Sequence, residues 1–324
     1  MPEDRAIGSF IKEPAETIRR GKNYLFAIGI STYKHFPRLI NARKDIEDLA
    51  KILVDSYSFN ESEVQLICDD EANRANIVDR LDGLRNVVHA DDRLLIYYSG
   101  HGYFDEARGF WIPVDAERGR VSSYISNADV LEIIKNIKAR HILLISDSCF
   151  SGSLLYRDIS ATMANKAIEA WDRDPSRFAF VSGKGPVSDG IAGENSPFAD
   201  GIIRQLRNND QDAINIVRLA DQVTQEIRYN YDQQAEVSPL QGAGHKGGQY
   251  VFFKKGKENL RYNNLNIPEE KPTVPEDYSR YVEPPISPPT KTPEKKNETQ
   301  QGNVTNQKAE KIYNIEKIDN ANFS

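Results

Sequence analysis

Cysteine is scarce in this chain: Cys68 and Cys149 are the only two in 324 residues. Two cysteines make no disulfide framework, and a free thiol survives best in reducing surroundings, so a cytoplasmic protein is expected. Long apolar runs are missing as well. No stretch approaches the roughly 18 apolar residues of a membrane-spanning helix. The opening PEDRAIGSFIKEPAETIRRGKN is mixed and charged, unlike a secretion signal. No membrane partner is expected. Positive charge is in deficit, with 48 acids against 42 bases and a net charge of −6. That balance opposes a broad phosphate-binding surface and hence nucleic acid as the main ligand.

What is present alternates. YLFAIGI (24–30) is a short apolar run, followed by a loop and by DIEDLAKILVD, whose apolar residues recur at helical spacing. The same alternation returns in EVQLICDD and the helical stretch after it, in DRLLIYYSGHG, in HILLISDSC, and in RFAFVSG before SPFADGIIRQLRNN. Strands apolar on both faces, separated by helices, predict an α/β fold: a three-layer α-β-α sandwich around a mostly parallel sheet. A further helix is expected around 212–230, and GGQYVFFKK (248–255 within it) reads as a last strand at a sheet edge. Eight of the sixteen prolines lie between Pro268 and Pro293, mixed with Lys and Glu. Such a segment cannot bury enough to fold, so a disordered linker is expected over 257–311. Apolar residues return in KIYNIEKIDNANFS, so 312–324 is either a partner-docking segment or a plain tail.

In open α/β sheets ligands bind at the carboxyl ends of the strands. LLIYYSGHG delivers His101 between two glycines at one such end, and HILLISDSCFSG delivers Cys149 at another. If the two strands are neighbours, imidazole and thiol stand side by side. That pair performs acyl transfer: a thiolate attacks a carbonyl while the imidazole takes and returns the proton, and a peptide bond is the natural substrate. The backbone amides of Gly102 and Cys149 are candidates for an oxyanion hole. Each residue alone also has a plain reading, a buried thiol acting as a small hydrophobe and a histidine satisfied in the core.

YYSGHG together with DSCFSG resembles the caspase-like cysteine proteases, most closely their prokaryotic metacaspase-type members. His101 stands 48 residues before Cys149, which agrees with the spacing of about 50 known for caspases. The resemblance extends over residues 20–255 through YLFAIGISTYKHFPRLINARKDIEDLAKIL, GFWIPVDA and FAFVSGKGPVSDGIAGENSPFADGIIRQL. It implies a caspase-haemoglobinase-like fold and a cysteine endopeptidase. It also implies an N-terminal extension (1–22), a peptidase domain over 23–256 and the tail. Within that domain it implies a large-subunit-like part (23–152), a connecting loop (153–176) and a small-subunit-like part (177–256).

The resemblance further implies a first substrate pocket lined by Asp45, Ser99 and Asp147. Carboxylates in a partly dry pocket call for a cation, so the expected partners are peptides with Arg or Lys at the cleaved position. Asp45 has a second reading, an ordinary acid at a helix N-terminus. Self-cleavage is a further expectation, with Arg157, Lys166 and Arg173 as candidate sites. Position 150 is Phe150 where metacaspases commonly carry histidine. Asp105, Glu106, Asp115 and Asp158 are too scattered for the six to eight oxygens that calcium takes. No metal or other cofactor is therefore expected, although calcium dependence occurs in the family. Family members also work in prokaryotic immunity, antiviral defense or cell death, which suggests a sensor or assembly partner held through 312–324. A catalytically silent scaffold acting through that tail is the alternative.

Overall fold

The computed structural model describes residues 21–105, 108–148, 168–183, 190–231, 233–240 and 242–257, with the backbone alone at 168–170. The chain divides at Asn263, and residues 264–324, including the 312–324 segment, lie wholly outside the described residues.

Six strands form the central sheet: β1 (Asn23–Gly29), β2 (Val64–Cys68), β3 (Arg93–Ser99), β7 (His141–Asp147), β8 (Ser176–Val181) and β10 (Glu236–Pro239). Their order is β10-β8-β7-β3-β1-β2, with every pair parallel except the antiparallel β10–β8 edge. All seven residues of β3 and of β7 are buried, which is why both read as continuous apolar runs rather than alternating ones. Successive side chains point to opposite faces. Leu94, Ile96, Tyr98, Ile142 and Leu144 join the core beneath α2 (Arg74–Val87) and α3 (Asn127–Asn136). Leu95, Tyr97, Leu143 and Ile145 join the core beneath α1 (Ala42–Ser56), α5 (Pro197–Asn208) and α6 (Ile216–Asn230). The three-layer α-β-α sandwich expected from the alternation is what forms.

Two local features bring α1 and α5 to the site. A side chain at Gly29 would place Cβ 2.6 Å from the Ala42 carbonyl. Only glycine there lets the start of α1 lie against the end of β1. At α5 the Ser196 hydroxyl caps the helix by accepting from the Ala199 amide at 3.0 Å, and Pro197 occupies the first turn.

Three elements depart from the expectation. GGQYVFFKK does not edge the main sheet: β11 (Val251–Phe253) pairs antiparallel with β9 (Ala213–Asn215) in a separate two-stranded sheet, and β10 takes the edge. The 212–230 stretch correspondingly opens as β9, and α6 starts only where the Asn215 side chain accepts from the Arg218 amide. Immediately after His101 the chain folds into a three-stranded sheet of β4 (Gly102–Asp105), β5 (Arg108–Trp111) and β6 (Ile125–Ser126). Within the connecting segment, α4 (Ile168–Arg173) is a docked helix. Asp172 of α4 forms a buried ion pair with Arg93 and lies 3.4 Å from His141 Nε2.

Candidate active site

β3 and β7 are adjacent and in register, Ser99 beside Asp147. The Gly100 amide donates to the Asp147 carbonyl at 3.3 Å, extending that pairing one step. His101 and Cys149 each follow two residues beyond the paired positions. Cys149 and Phe150 lie outside the described residues; Ser148, which follows β7, is buried, and its hydroxyl is 3.1 Å from that of Ser146.

His101 is held by its backbone from three sides. Its amide donates to Tyr33 Oη at 2.8 Å, and its carbonyl accepts from Tyr98 Oη at 2.7 Å and from the Ile112 amide at 3.1 Å. A side chain at Gly100 would put Cβ 2.7 Å from Tyr33 Oη and 2.8 Å from Tyr98 Oη. The glycine before the histidine is therefore required by the two hydroxyls. Tyr98 in turn stacks on Trp111 at 4.5 Å with rings nearly parallel. The Tyr33 ring lies 4.7 Å from the imidazole, and burial pushes its hydroxyl well above the usual phenol range. Tyr33 is thus neutral at any physiological pH.

The ring Nε2 lies 2.8 Å from the Pro37 carbonyl. A carbonyl only accepts, so the neutral imidazole carries its proton on Nε2 and keeps Nδ1 as its basic nitrogen. The loop that presents Pro37 is pinned by Asp69, whose Oδ1 accepts from the Ser31 and Thr32 amides at 2.9 and 2.8 Å. Asp69 occupies the left-handed region at φ 44°, a conformation that Asp tolerates better than most residues.

Ser99, Asp45 and Asp147 meet behind this rim, on the α1/α5 side of the sheet. All three are buried. Ser99 Oγ donates to Asp45 Oδ2 at 3.2 Å, while Asp45 Oδ1 accepts from the Ser196 amide at 2.9 Å and from Asn195 Nδ2 at 3.2 Å. Ser196 Oγ donates to Asp147 Oδ2 at 2.5 Å. No ion pair reaches Asp45 among the described residues. Burial, with the neighbouring Asp147 carboxylate adding to it, pushes the Asp45 carboxyl up to about 7 against the three hydrogen bonds that favour its charged form. Burial, with the charges of Asp147 and Asp45 adding to it, holds the buried Tyr97 hydroxyl well above the usual range. It has no hydrogen-bond partner among the described residues.

Gly102 opens β4 and pairs with Trp111. Of the self-cleavage candidates, Arg157 and Lys166 lie outside the described residues and Arg173 ends α4. Asp105 is paired with Arg108, and Asp115 accepts from the Arg74 amide. Among the described residues no three metal-ligating side chains converge, and no helix is long and apolar enough to cross a membrane. Sequence reasoning missed Tyr33, Pro37, Asn195 and Ser196. Only Ser196 carried a readable signal, the Ser-Pro pair of a helix start in NSPFAD.

The family model for the caspase domain, peptidase C14, matches residues 22–246. The chain belongs to the caspase-domain family. Among curated proteins it is similar to Metacaspase-1 of Eremothecium gossypii, 26% identical over 152 residues that make up 42% of this chain and 33% of that protein. Metacaspase-1 of Schizosaccharomyces pombe is 24% identical over 163 residues, 46% of this chain and 38% of that protein. The match thus spans little more than a third of the length of these relatives. Among solved structures, protein GSU0716 from Geobacter sulfurreducens aligns with a TM-score of 0.50 at 17% identity, over 69% of this chain and 97% of that one. Caspase-1 from Spodoptera frugiperda aligns with a TM-score of 0.50 at 13% identity, over 68% and 87%. At such identities the structures speak for the fold alone, and it is the caspase fold.

Proposed function

We propose that this caspase-domain protein is a cysteine endopeptidase that cleaves after Arg or Lys, with Cys149 as nucleophile and His101 as its acid–base partner. The observation that carries the reading is the pair of buried carboxylates, Asp45 and Asp147, gathered at the strand ends next to His101. Two acids sharing one desolvated site are costly unless a cation joins them. A guanidinium or ammonium from substrate supplies that charge, and Arg can pair with both oxygens of a carboxylate.

The chemistry follows from the orientation of His101. With Nε2 committed to the Pro37 carbonyl, Nδ1 takes the thiol proton of Cys149. The thiolate attacks the carbonyl carbon of the basic residue, forming the S–C bond. The C–N bond then breaks as the imidazolium returns its proton to the departing amine. Water, deprotonated by the same imidazole, hydrolyses the thioester and frees the cysteine. Amides of Gly102 and Cys149 are the donors proposed for the oxyanion.

The test is hydrolysis of Arg-, Lys- and Asp-terminated fluorogenic peptides by the full chain and by Cys149→Ala. Cleavage of the first two that disappears in the variant is expected; an active Cys149→Ala protein sinks the mechanism.

A further inference from the structure

We infer that Ser196 is a specificity-determining positioning residue, which locks Asp45 and Asp147 into one acceptor for a planar guanidinium. The inference rests on the basic-residue pocket proposed above and adds the element that gives it a fixed shape.

Asp45 comes from α1 and Asp147 from β7, two elements that meet here through Ser196. Its amide donates to Asp45 Oδ1 at 2.9 Å and its hydroxyl to Asp147 Oδ2 at 2.5 Å. The hydroxyl has one proton and two lone pairs. It gives the proton to Asp147 and accepts from the Ala199 amide at 3.0 Å. Ser196 therefore cannot turn away from Asp147 without uncapping α5. Two like charges left to themselves would splay apart. Here the residue between them donates to both, and the positive end of the α5 dipole stands behind it. The Tyr97 hydroxyl, buried on the same face of β3 as Ser99, has no hydrogen-bond partner among the described residues.

A fixed pair of carboxylate oxygens suits Arg, whose rigid planar fork needs acceptors at set positions, more than Lys, whose ammonium is a rotatable point charge. Loss of the Ser196 hydroxyl leaves both acids in place but removes the donor that fixes Asp147 Oδ2. Arg recognition should then suffer more than Lys recognition. Ser196 and Asn195 are also the pocket's contribution from the half of the chain that follows the connecting segment. The acid pair consequently takes this shape only while α5 is docked.

The experiment measures binding of matched Arg- and Lys-terminated peptides to full-length Cys149→Ala protein by calorimetry, and hydrolysis of the same peptides by the chain with Cys149 intact. Each is repeated with Ser196→Ala, with Ser196→Thr, and with Ser126→Ala, which removes a comparable cap from α3. Ser196→Ala should weaken Arg binding about tenfold or more, the scale of a hydrogen bond to a charged group. It should raise KM for the Arg peptide with little change in kcat, and narrow the Arg-over-Lys preference. Ser196→Thr should restore the preference and Ser126→Ala should leave it alone. An unchanged Arg-over-Lys ratio in folded Ser196→Ala protein overturns the inference, as does an equal loss in Ser126→Ala. Arg binding to the Cys149→Ala protein without hydrolysis by the intact chain would instead overturn the peptidase reading and leave the role of Ser196 standing.

Discussion

Replacing Asp45 with Asn should make the protein more stable and less active, and the two effects should have different pH dependence. Asn keeps the carbonyl oxygen that accepts from Ser196 and Asn195 and can donate to Ser99, so the hydrogen bonds survive while the charge goes. The Asp45 carboxyl sits near 7 when folded, against 3.8 for the ordinary side chain. Because the folded value is raised, the native state holds a proton that the unfolded chain releases between those two values. Stability from this group is fully present below 3.8 and is lost as pH rises through about 7. At about 1.36 kcal/mol per pH unit, the penalty grows by about 2 kcal/mol between pH 5.5 and 7 and then levels off. Urea unfolding of wild type and Asp45→Asn at pH 5.5 and pH 8 should show the variant's advantage larger at pH 8 by about that amount. Activity should move the other way. Truncating one partner of a buried charge pair costs about 2–5 kcal/mol, so kcat/KM for an Arg peptide should fall between about 30-fold and several thousand-fold. A variant no more stable than wild type at pH 8, or one that cleaves Arg peptides at the wild-type rate, refutes the reasoning about the acid pair.

Tyr33→Phe removes the acceptor for the His101 amide while leaving the tilted ring contact, and kcat should drop about tenfold with KM nearly unchanged, as steady-state kinetics would show. Arg93→Leu strands Asp172 in the core beside His141, which should destabilise the fold by about 3–5 kcal/mol in urea denaturation. Self-cleavage, if mass spectrometry detects it, should fall at Arg157 or Lys166 and spare Arg173. The backbone around Arg173 is tied down: the Trp171 carbonyl accepts from the Gln249 amide and the Pro175 carbonyl from the Lys246 amide, both at 2.9 Å. A first cut after Arg173 would contradict that reading.

The layers of the fold were legible because β1, β3, β7 and β8 are buried on both faces, and such strands leave continuous apolar runs. Short strands left no such trace. Ala213–Asn215 and Val251–Phe253 are three residues each and, among the described residues, pair with one another, away from the six-stranded sheet whose edge the second resembles in sequence. The β4–β5–β6 sheet was missed because its pattern is brief and interrupted by polar residues. His101, Ser99, Asp45 and Asp147 could be named from short motifs on the strands and on α1. What fixes them could not: Pro37 acts through its carbonyl, which every residue has, and Tyr33 and Ser196 reach the site from loops 68 residues before His101 and 49 after Asp147. Side-chain identity says little about a backbone contact or a long-range partner. Cys149 itself rests on the motif; the register of β3 with β7 pairs Ser99 with Asp147, the residues two before His101 and two before Cys149.

A positional-scanning peptide library, run on the full chain and on its Cys149→Ala variant, tests the central claim most directly. Cleavage confined to Arg and Lys at the residue before the scissile bond, with Arg preferred, and none in the variant, is the expected result. Cleavage after Asp or neutral residues, or activity that survives the loss of Cys149, would contradict it.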